Sequence, residues 1–328
     1  MAKRKRPPSK PRKAIPPQTG KPPQAIHHRD HESVSSPPQA ERPAPPNREY
    51  LGPDAAPPKA LRGDGEPLLV ARRPGPDRLQ GAWRTSPAHV RVLHIPGPAV
   101  HRSSGELPST LTRIDKTVAI PWRYICQLEI FDAVGRRHGG TGFLVGRRTI
   151  LTAGHNVYQF DIRQWAHQIN VAIARNGGGI PYPVQPVGDG FQSVAGWING
   201  NQPECDYGAI LLPASVDAGS FGVDVYDDND LSNLWITTAG YPVAPLVGAY
   251  GTMWGDSGII STVVEQQIAF TPAIPEGISG GPAFVTLGED RIVVGIMNYA
   301  SDNGFAVATR INSPVLQNIL KWRSLAGE

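Results

Sequence analysis

A histidine, an aspartate and a serine stand in sequence contexts that suit the hydrolysis of an acyl bond. That chemistry needs a nucleophile, a base that accepts its proton and a group that orients the base. Histidine is the side chain best suited to be the base at neutral pH. Only His138, His155 and His167 follow residue 110. His155 stands out because residues 149–153, Thr-Ile-Leu-Thr-Ala, predict an apolar strand that leads to it.

The serine is Ser279, within residues 277–282, which read Gly-Ile-Ser-Gly-Gly-Pro. Glycines let the backbone turn tightly, so the N–H groups of Gly277 and Ser279 can point at one oxyanion. By itself this pattern also fits an ordinary turn. A second serine, Ser257, lies in Gly-Asp-Ser-Gly at 255–258 and is another candidate nucleophile.

The aspartate is Asp206, which opens the segment Asp-Tyr-Gly-Ala-Ile-Leu-Leu at 206–212. A carboxylate that enters so apolar a strand is costly to bury unless it is hydrogen-bonded. A lone histidine at a strand end is usually structural, and so is a lone glycine-rich turn. The three residues together, in the order histidine, aspartate, serine, indicate one hydrolytic site.

The elements that must position these residues are short strands. Apolar runs rich in Val, Ile, Thr and Phe alternate with Gly, Asp and Asn turns after residue 113, which predicts an all-β barrel or sandwich. The predicted strands are 123–131, 140–145, 149–153, 169–174, 207–212, 234–239, 248–253, 258–264, 267–271, 283–286, 292–297 and 305–309.

One helix is predicted at the end of the chain. Asn312 or Ser313 can cap it, and Pro314 suits its first turn. Its apolar side chains at helical spacing predict a docking face, formed by Val315, Leu316, Ile319 and Leu320.

Residues 1–111 differ in composition from residues 112–328. Residues 1–110 hold 22 of the 34 prolines and carry 19 Lys and Arg against 9 Asp and Glu, whereas the rest carries 13 against 19. A uniformly basic nucleic-acid-binding globule is thereby excluded. We expect residues 1–111 to be a disordered or polyproline-like tail or a pro-segment, followed by a peptidase domain at 112–328. Removal of residues 1–90 should not unfold that domain, because the tail lacks apolar periodicity. The basic run 3–13 suits a solubilising tail, and contact with nucleic acid or acidic lipid is the alternative.

The number of cysteines and the length of the apolar runs exclude several other classes of protein. Cys126 and Cys205 are too few for a disulfide scaffold or a four-thiolate zinc site, so they form one bridge or two buried thiols. No apolar run is long enough to span a membrane. The basic N-terminus lacks a following apolar stretch, which argues against a conventional secretory signal. The compartment stays unknown, with secretion and intracellular use both open.

Residues 113–328 resemble the chymotrypsin-like (trypsin-fold) serine peptidases, particularly their bacterial glutamyl-endopeptidase-like branch. The likeness rests on the three segments above and on Pro-Trp-Arg at 121–123, Gly-Thr-Gly-Phe at 140–143, Ala-Gly-Tyr-Pro at 239–242 and Gly-Thr-Met-Trp at 251–254. It implies two six-stranded antiparallel barrels, with His155 and Asp206 from the first and Ser279 from the second. It further implies that His155 is the general base, Asp206 its orienting partner and Ser279 the nucleophile.

The sequence departs from the family at two positions beside these residues. Asn156 follows the histidine where many animal members have a bridged cysteine, and Ile278 precedes the serine where Asp or Asn is commoner. Neither change removes one of the three chemical roles. Gly-Asp-Ser-Gly at 255–258 resembles the family's nucleophile turn at its first four positions, but it lacks the Gly-Pro that follows Ser279, so the resemblance makes Ser257 the less favoured nucleophile.

The resemblance also locates a specificity pocket. Lys- or Arg-cleaving members have an Asp at the position of Ala273, and Glu-cleaving members have a Thr and a His at the positions of Ile274 and Met297. With neither device present, we expect cleavage after large apolar residues, unless Glu276 reaches a basic side chain.

The function predicted from the sequence is that of a serine endopeptidase that acts on a protein or peptide without metal or other cofactor. A catalytically silent binding module with a protease fold, and tethering to nucleic acid or an acidic surface through the basic tail, are the alternatives.

Overall fold

The computed structural model describes residues 28–39, 111–243, 250–271, 275–301 and 305–328. These residues form a mostly β fold that ends in a helix, as the sequence predicts. The strands are β1 (Ser33–Ser35), β2 (Thr112–Ile114), β3 (Ile125–Phe131), β4 (Arg137–Leu144), β5 (Thr149–Thr152), β6 (Tyr158–Gln159), β7 (Gln164–Trp165), β8 (Gln168–Ile173), β9 (Gln185–Val187), β10 (Phe191–Val194), β11 (Gly208–Leu211), β12 (Gly222–Val223), β13 (Trp235–Gly240), β14 (Met253–Val263), β15 (Gln267–Phe270), β16 (Pro282–Leu287), β17 (Asp290–Ala300) and β18 (Ala306–Arg310). The helices are α1 (Gly154–Val157), α2 (Ala195–Gly200), α3 (Asp228–Leu231) and α4 (Ser313–Leu325).

The second half of the domain is a closed antiparallel barrel of six strands. Its order is β17-β16-β13-β14-β15-β18, and the pairing of β18 with β17 closes the ring. Side chains alternate between the interior and the surface along these strands, as Ile259 and Ile260 show with 42% and 1% exposure. Ile260, Phe270, Val285 and Met297 are among the residues that fill the interior.

The first half is a curled sheet in the order β10-β11-β5-β4-β3-β8-β9, with β1 on the outer edge of β10. It differs from the expected closed barrel because no pairing among the described residues joins its two ends. The chain between β8 and β10 contains Pro181, Pro183 and Pro186. Proline lacks the N–H donor that a sheet ladder needs, so this segment supports only the short β9.

Every predicted strand overlaps an observed one, but 248–253 does so only at Met253. There the described residues 250–252 form a turn in which Gly251 has φ +73°, and β14 begins at Met253. β14 then continues through Gly-Asp-Ser-Gly at 255–258 as one long strand. Glycine and aspartate often mark turns, and here the pairing of β14 with β13 overrides that local tendency.

The C-terminal helix is capped by Asn312, whose Oδ1 accepts the N–H of Val315 at 3.2 Å. Its buried apolar stripe runs through Val315, Ile319 and Trp322. The prediction for Leu320 is wrong, because this residue is 55% exposed. The stripe advances by three or four residues per step, which places Trp322 rather than Leu320 against the first half of the domain.

The expectation that residues 1–111 are disordered does not hold for residues 28–39. A 3-10 turn (His28–His31) leads into β1, which pairs antiparallel with β10. This contact uses backbone and polar side chains, so a search for apolar periodicity does not detect it. Residues 1–27 and 40–110, including the basic run 3–13, lie outside the described residues.

Cys126 and Cys205 are both buried free thiols, which decides between the two expected states. Within the described ranges, no helix is both long and apolar enough to cross a membrane.

Candidate active site

His155 and Asp206 are brought together by the pairing of two strands. β5 ends at Thr152, and the short helix α1 then carries His155. β11 begins immediately after Asp206 and Tyr207, and its Gly208 lies opposite Thr152 of β5. The strand end that delivers the histidine is therefore the neighbour of the strand start that delivers the aspartate.

The Asp206 carboxylate contacts His155 through both of its oxygens. Oδ1 accepts the main-chain N–H of His155 at 2.8 Å, and Oδ2 lies 2.8 Å from Nδ1 of the imidazole. A carboxylate only accepts hydrogen bonds, so Nδ1 carries a proton and Nε2 presents a lone pair in the neutral ring. The carboxylate thus fixes both the orientation and the tautomer of the histidine.

The electrostatics of the pair favour a basic histidine. Burial lowers the pKa of the His155 imidazole, but the charge and hydrogen bond of Asp206 raise it by more. The pKa therefore lies above its ordinary value of 6.5. The imidazole is 36% exposed and the carboxylate only 7%, so the ring is accessible and its partner is shielded.

Two residues that the sequence analysis did not single out support this pair. The indole of Trp197 meets the imidazole edge-on, with ring centroids 6.3 Å apart. The amide of Asn298 on β17 donates to the main-chain oxygen of Asp206 at 2.6 Å, and its own oxygen accepts the N–H of Thr309 at 2.6 Å. The second barrel therefore holds the aspartate that the first half supplies.

Ser279 lies in the turn that leads into β16. Gly277 and Gly280 have φ values of +97° and +86°, in the left-handed region that favours glycine. A Cβ at Gly277 would lie 2.5 Å from the main-chain oxygen of Tyr241. The N–H groups of Gly277 and Ser279 donate to no acceptor among the described residues. Two backbone donors near the serine are thus available for a ligand.

The serine turn is joined to the histidine loop by hydrogen bonds. The main-chain oxygen of Ser279 accepts the N–H of Thr141 at 2.9 Å and the Asn156 amide at 3.1 Å. Because Asn156 directly follows His155, these contacts bring the serine turn beside the histidine. Among the described residues, the hydroxyl of Ser279 makes no hydrogen bond with the imidazole. Such bonds are often long before substrate binds.

Thr141 links three parts of the site and was not predicted to be functional. Its hydroxyl donates to the oxygen of Gly277 at 2.7 Å and accepts the N–H of Tyr241 at 2.9 Å. Its main-chain oxygen accepts the hydroxyl of Thr152 at 2.7 Å. The sequence did carry a signal, the Gly-Thr-Gly-Phe segment, but spacing alone cannot show which strand residue faces the serine turn.

Asn156 occupies the place where many animal relatives have a cysteine. A Cβ on Gly140 would lie 2.7–2.9 Å from the amide of Asn156. Gly140, which has no side chain, thus leaves the space that the Asn156 side chain fills. The Asn156 amide also donates to the hydroxyl of Thr152 at 2.8 Å.

The remaining candidate residues lie elsewhere or outside the described ranges. Ser257 lies in the middle of β14, with its hydroxyl 3.0 Å from that of Thr237. His138 lies on β4, 3.1 Å from the Asp132 carboxylate. These two positions are parts of strands rather than of the Ser279 turn.

The predicted specificity pocket is only partly described. Ala273 and Ile274 lie outside the described residues. Met297 is fully buried in the second barrel, and its main chain binds the serine turn through Gly280 and Gly281 at 2.6 and 2.9 Å. Glu276 is exposed. The apolar pocket stays a prediction.

Comparison with known proteins identifies relatives of this chain. The "Extracellular metalloprotease" of Bacillus subtilis is 31% identical over 214 residues, which cover 64% of this chain and 67% of that protein. The "Glutamyl endopeptidase" of Bacillus licheniformis is 29% identical over 224 residues, which cover 66% and 67%. No protein-family model matches the chain.

Solved structures share the fold. A Glu endopeptidase in complex with MPD superposes with a TM-score of 0.60 at 18% identity, covering 66% of this chain and 98% of that one. The protease Anisep from Arthrobacter nicotinovorans superposes with a TM-score of 0.54 at 17% identity, covering 66% and 100%. By its sequence relatives and its fold, this chain belongs to the chymotrypsin-like serine peptidases, in the bacterial branch that includes the glutamyl endopeptidases.

Proposed function

We propose that the chain is a serine endopeptidase in which Ser279 is the nucleophile, His155 the general base and Asp206 the residue that orients the base. The observation that carries this proposal is the two-point contact of the Asp206 carboxylate with His155, at 2.8 Å to both the main chain and the ring. That contact leaves Nε2 as the acceptor, beside a turn that presents a serine.

The steps of the proposed reaction use only these groups. Nε2 of His155 takes the proton of the Ser279 hydroxyl as its oxygen attacks the peptide carbonyl. The N–H groups of Gly277 and Ser279 stabilise the resulting oxyanion. The protonated histidine then gives its proton to the leaving amine as the C–N bond breaks. Water hydrolyses the acyl-enzyme by the same proton transfers in reverse.

Replacement of the two candidate serines tests the assignment. We expect Ser279→Ala to lower peptide hydrolysis by a factor on the order of 10⁴ or more, because only binding and the backbone donors remain. A fluorophosphonate should label the wild type at Ser279 and leave Ser279→Ala unlabelled. Ser257→Ala is the matched control and should keep both activity and labelling.

The outcome also separates an enzyme from a silent binding module. A folded wild type that neither reacts with the fluorophosphonate nor cleaves a denatured protein would contradict the proposal. So would a Ser257→Ala variant that is the inactive one of the two.

A metal-dependent reaction is a second candidate, because the Bacillus subtilis relative is named a metalloprotease. The described residues gather no cluster of three or more His, Cys, Asp or Glu that could hold a metal ion. We therefore assign no step to a metal. Hydrolysis is expected to be unchanged by EDTA. Loss of activity on chelation, with recovery on adding a divalent metal, would favour the second candidate.

For specificity we propose cleavage after large apolar residues of a protein or peptide substrate. Ala273, Ile274 and Met297 cannot pair with a charged side chain of the substrate, so the burial of such a charge would cost several kcal/mol. An apolar lining gains about 1.5–3 kcal/mol for one large apolar side chain. The named activity of the glutamyl endopeptidases favours cleavage after Glu as the alternative.

A set of peptides that differ only at the cleaved position decides between these specificities. Phe and Leu should give higher kcat/KM than Glu, Lys or Arg. A profile dominated by Glu would contradict the apolar pocket, and one dominated by Lys or Arg would indicate a role for Glu276.

A further inference from the structure

The segment 28–39, which we call the N-terminal strap, docks as an added strand. Ser33, Val34 and Ser35 lie opposite Val194, Ser193 and Gln192 of β10. Beyond the strand, the oxygen of Glu32 accepts the N–H of Ala195, and the N–H of Ser36 donates to the oxygen of Phe191, both at 2.8 Å. The strap therefore covers the exposed edge of β10, which would otherwise present unpaired backbone groups.

Buried side chains anchor the strap to α4 as well as to the sheet. The Asn318 amide donates to the oxygen of His31 at 2.8 Å and to the hydroxyl of Tyr207 at 2.9 Å. Nδ1 of His31 lies 2.9 Å from the same hydroxyl. The indole N–H of Trp322 donates to the hydroxyl of Ser33 at 2.8 Å. Sheet, strap and helix thus share one hydrogen-bond network.

The strap contacts residues that adjoin the His155–Asp206 pair. Tyr207, which binds His31, directly follows Asp206. The start of α2, which binds Glu32, leads to Trp197 beside the imidazole. Gly196 in that helix is packed so closely that a Cβ would lie 2.6 Å from the sulfur of Cys205 and 3.0 Å from Cβ of Asp30. Loss of the strap would leave this side of the pair without its packing.

We propose that the strap is a permanent part of the catalytic domain. When the chain is cut within residues 40–110, the strap stays docked as a separate segment, and it keeps the His155–Asp206 pair in position. The partner of this β10–α4 surface is thus the chain's own N-terminal segment. The effect on the pair rests on the proposed function, whereas the retention of the strap does not.

The test uses the full chain with the recognition sequence of a site-specific protease inserted within residues 40–110. After cleavage, size-exclusion chromatography and intact-mass measurement should show the N-terminal fragment eluting with the catalytic fragment. Ser36→Pro should release it, because proline removes the N–H that binds Phe191 and the hydroxyl that accepts the Phe191 N–H at 3.1 Å. Pro38→Ala, at an exposed residue of the same segment, is the matched control and should retain the fragment.

Kinetics supply the second readout. The cut wild type should keep its kcat within about twofold, and the cut Ser36→Pro chain should lose about tenfold or more in kcat with little change in KM, because a small displacement of a catalytic group costs about that much or more. Separation of the fragment from the cut wild type would overturn the retention. An unchanged kcat after release would overturn the positioning role. A retained fragment in a chain that fluorophosphonate does not label would instead contradict the proposed function alone.

Discussion

At the scale of single residues, the contact between Asp206 and His155 predicts how the reaction depends on pH. His155, the proposed general base, must be neutral to accept a proton, so hydrolysis should rise with pH through a midpoint above about 6.5. Asp206→Asn removes the charge that raises the pKa of His155 and leaves the burial that lowers it. We expect its midpoint to move to lower pH and its kcat to fall by a factor on the order of 10⁴.

A pH–rate profile of the two proteins checks this prediction. The raised pKa of His155 also makes the stability of the fold depend on pH, and stability falls with rising pH where activity increases. Because the folded pKa of His155 is raised, its contribution to stability is complete below the unfolded pKa of about 6.5 and is lost as pH rises through the folded pKa. An activity that is flat between about pH 5.5 and 8.5 would argue against a histidine base.

Thr141 predicts a second residue-level effect. Thr141→Val keeps the shape of the side chain but removes the hydroxyl that binds Gly277 and Tyr241. Each buried group left without its partner costs about 1–3 kcal/mol. We expect kcat to fall about 10- to 100-fold with an unchanged pH midpoint. Thr141→Ser, which keeps the hydroxyl, should stay within a few-fold of the wild type in the same assay.

The sequence could indicate some of these residues and not others. His155, Asp206 and Ser279 stand out because a polar side chain interrupts an apolar strand or a glycine turn. Thr141 and Asn298 lie within strands, where nothing in the sequence distinguishes a threonine or asparagine that faces the site from one that faces solvent. Their contribution comes from contacts between elements that are distant in the chain.

At the scale of elements, the serine turn depends on the backbone freedom of Gly277. Its φ of +97° and the close main-chain atoms of Tyr241 and Val243 leave no room for a side chain. We expect Gly277→Ala to destabilise the fold by about 2–4 kcal/mol and to lower kcat at least 100-fold, because the turn must move. Denaturant unfolding and steady-state kinetics measure the two effects.

Gly288 provides a matched control for that prediction. It also has a positive φ, of +61°, but a Cβ there would meet no atom within 4 Å. Gly288→Ala should therefore cost only about 1 kcal/mol and leave kcat unchanged. Equal effects of the two substitutions would show that backbone strain alone, rather than crowding at the serine turn, governs the result.

The sequence predicts the strands that have a strong apolar pattern and misses those that form mainly by backbone pairing with a neighbouring strand. Strands β16 and β17 carry continuous apolar runs, Ala-Phe-Val at 283–285 and Ile-Val-Val-Gly-Ile-Met at 292–297. β1, β9 and β10 do not, since serine, glutamine or proline fills at least half of their positions. These strands form because a neighbouring edge supplies backbone partners. The position of β14 shows the converse, because a Gly-Asp-Ser-Gly segment typical of turns lies within a long strand.

At the scale of the whole molecule, the site depends on parts of the chain that lie far apart in sequence. The first half supplies His155 and Asp206, and the second barrel supplies the serine turn and Asn298. The N-terminal strap and α4 then bind the outer side of the first half. The contacts of residues 28–39 argue against the expectation that residues 1–90 are dispensable for the fold.

Two truncated proteins test how much the strap contributes to the stability of the fold. Removal of residues 1–27 should leave the melting temperature unchanged, because the strap remains. Removal of residues 1–39 takes away the strand pairing with β10 and the contacts of His31 and Ser33 with α4. Seven hydrogen bonds join residues 28–39 to the rest of the domain besides the strand ladder, and at a net of about 1 kcal/mol for each we expect a loss of about 7 kcal/mol. For a domain of this size that corresponds to roughly 14–28 °C in melting temperature, measured by calorimetry. Equal melting temperatures for the two truncated proteins would mean that the strap adds nothing to stability, and its backbone pairing would then be no stronger than its hydration.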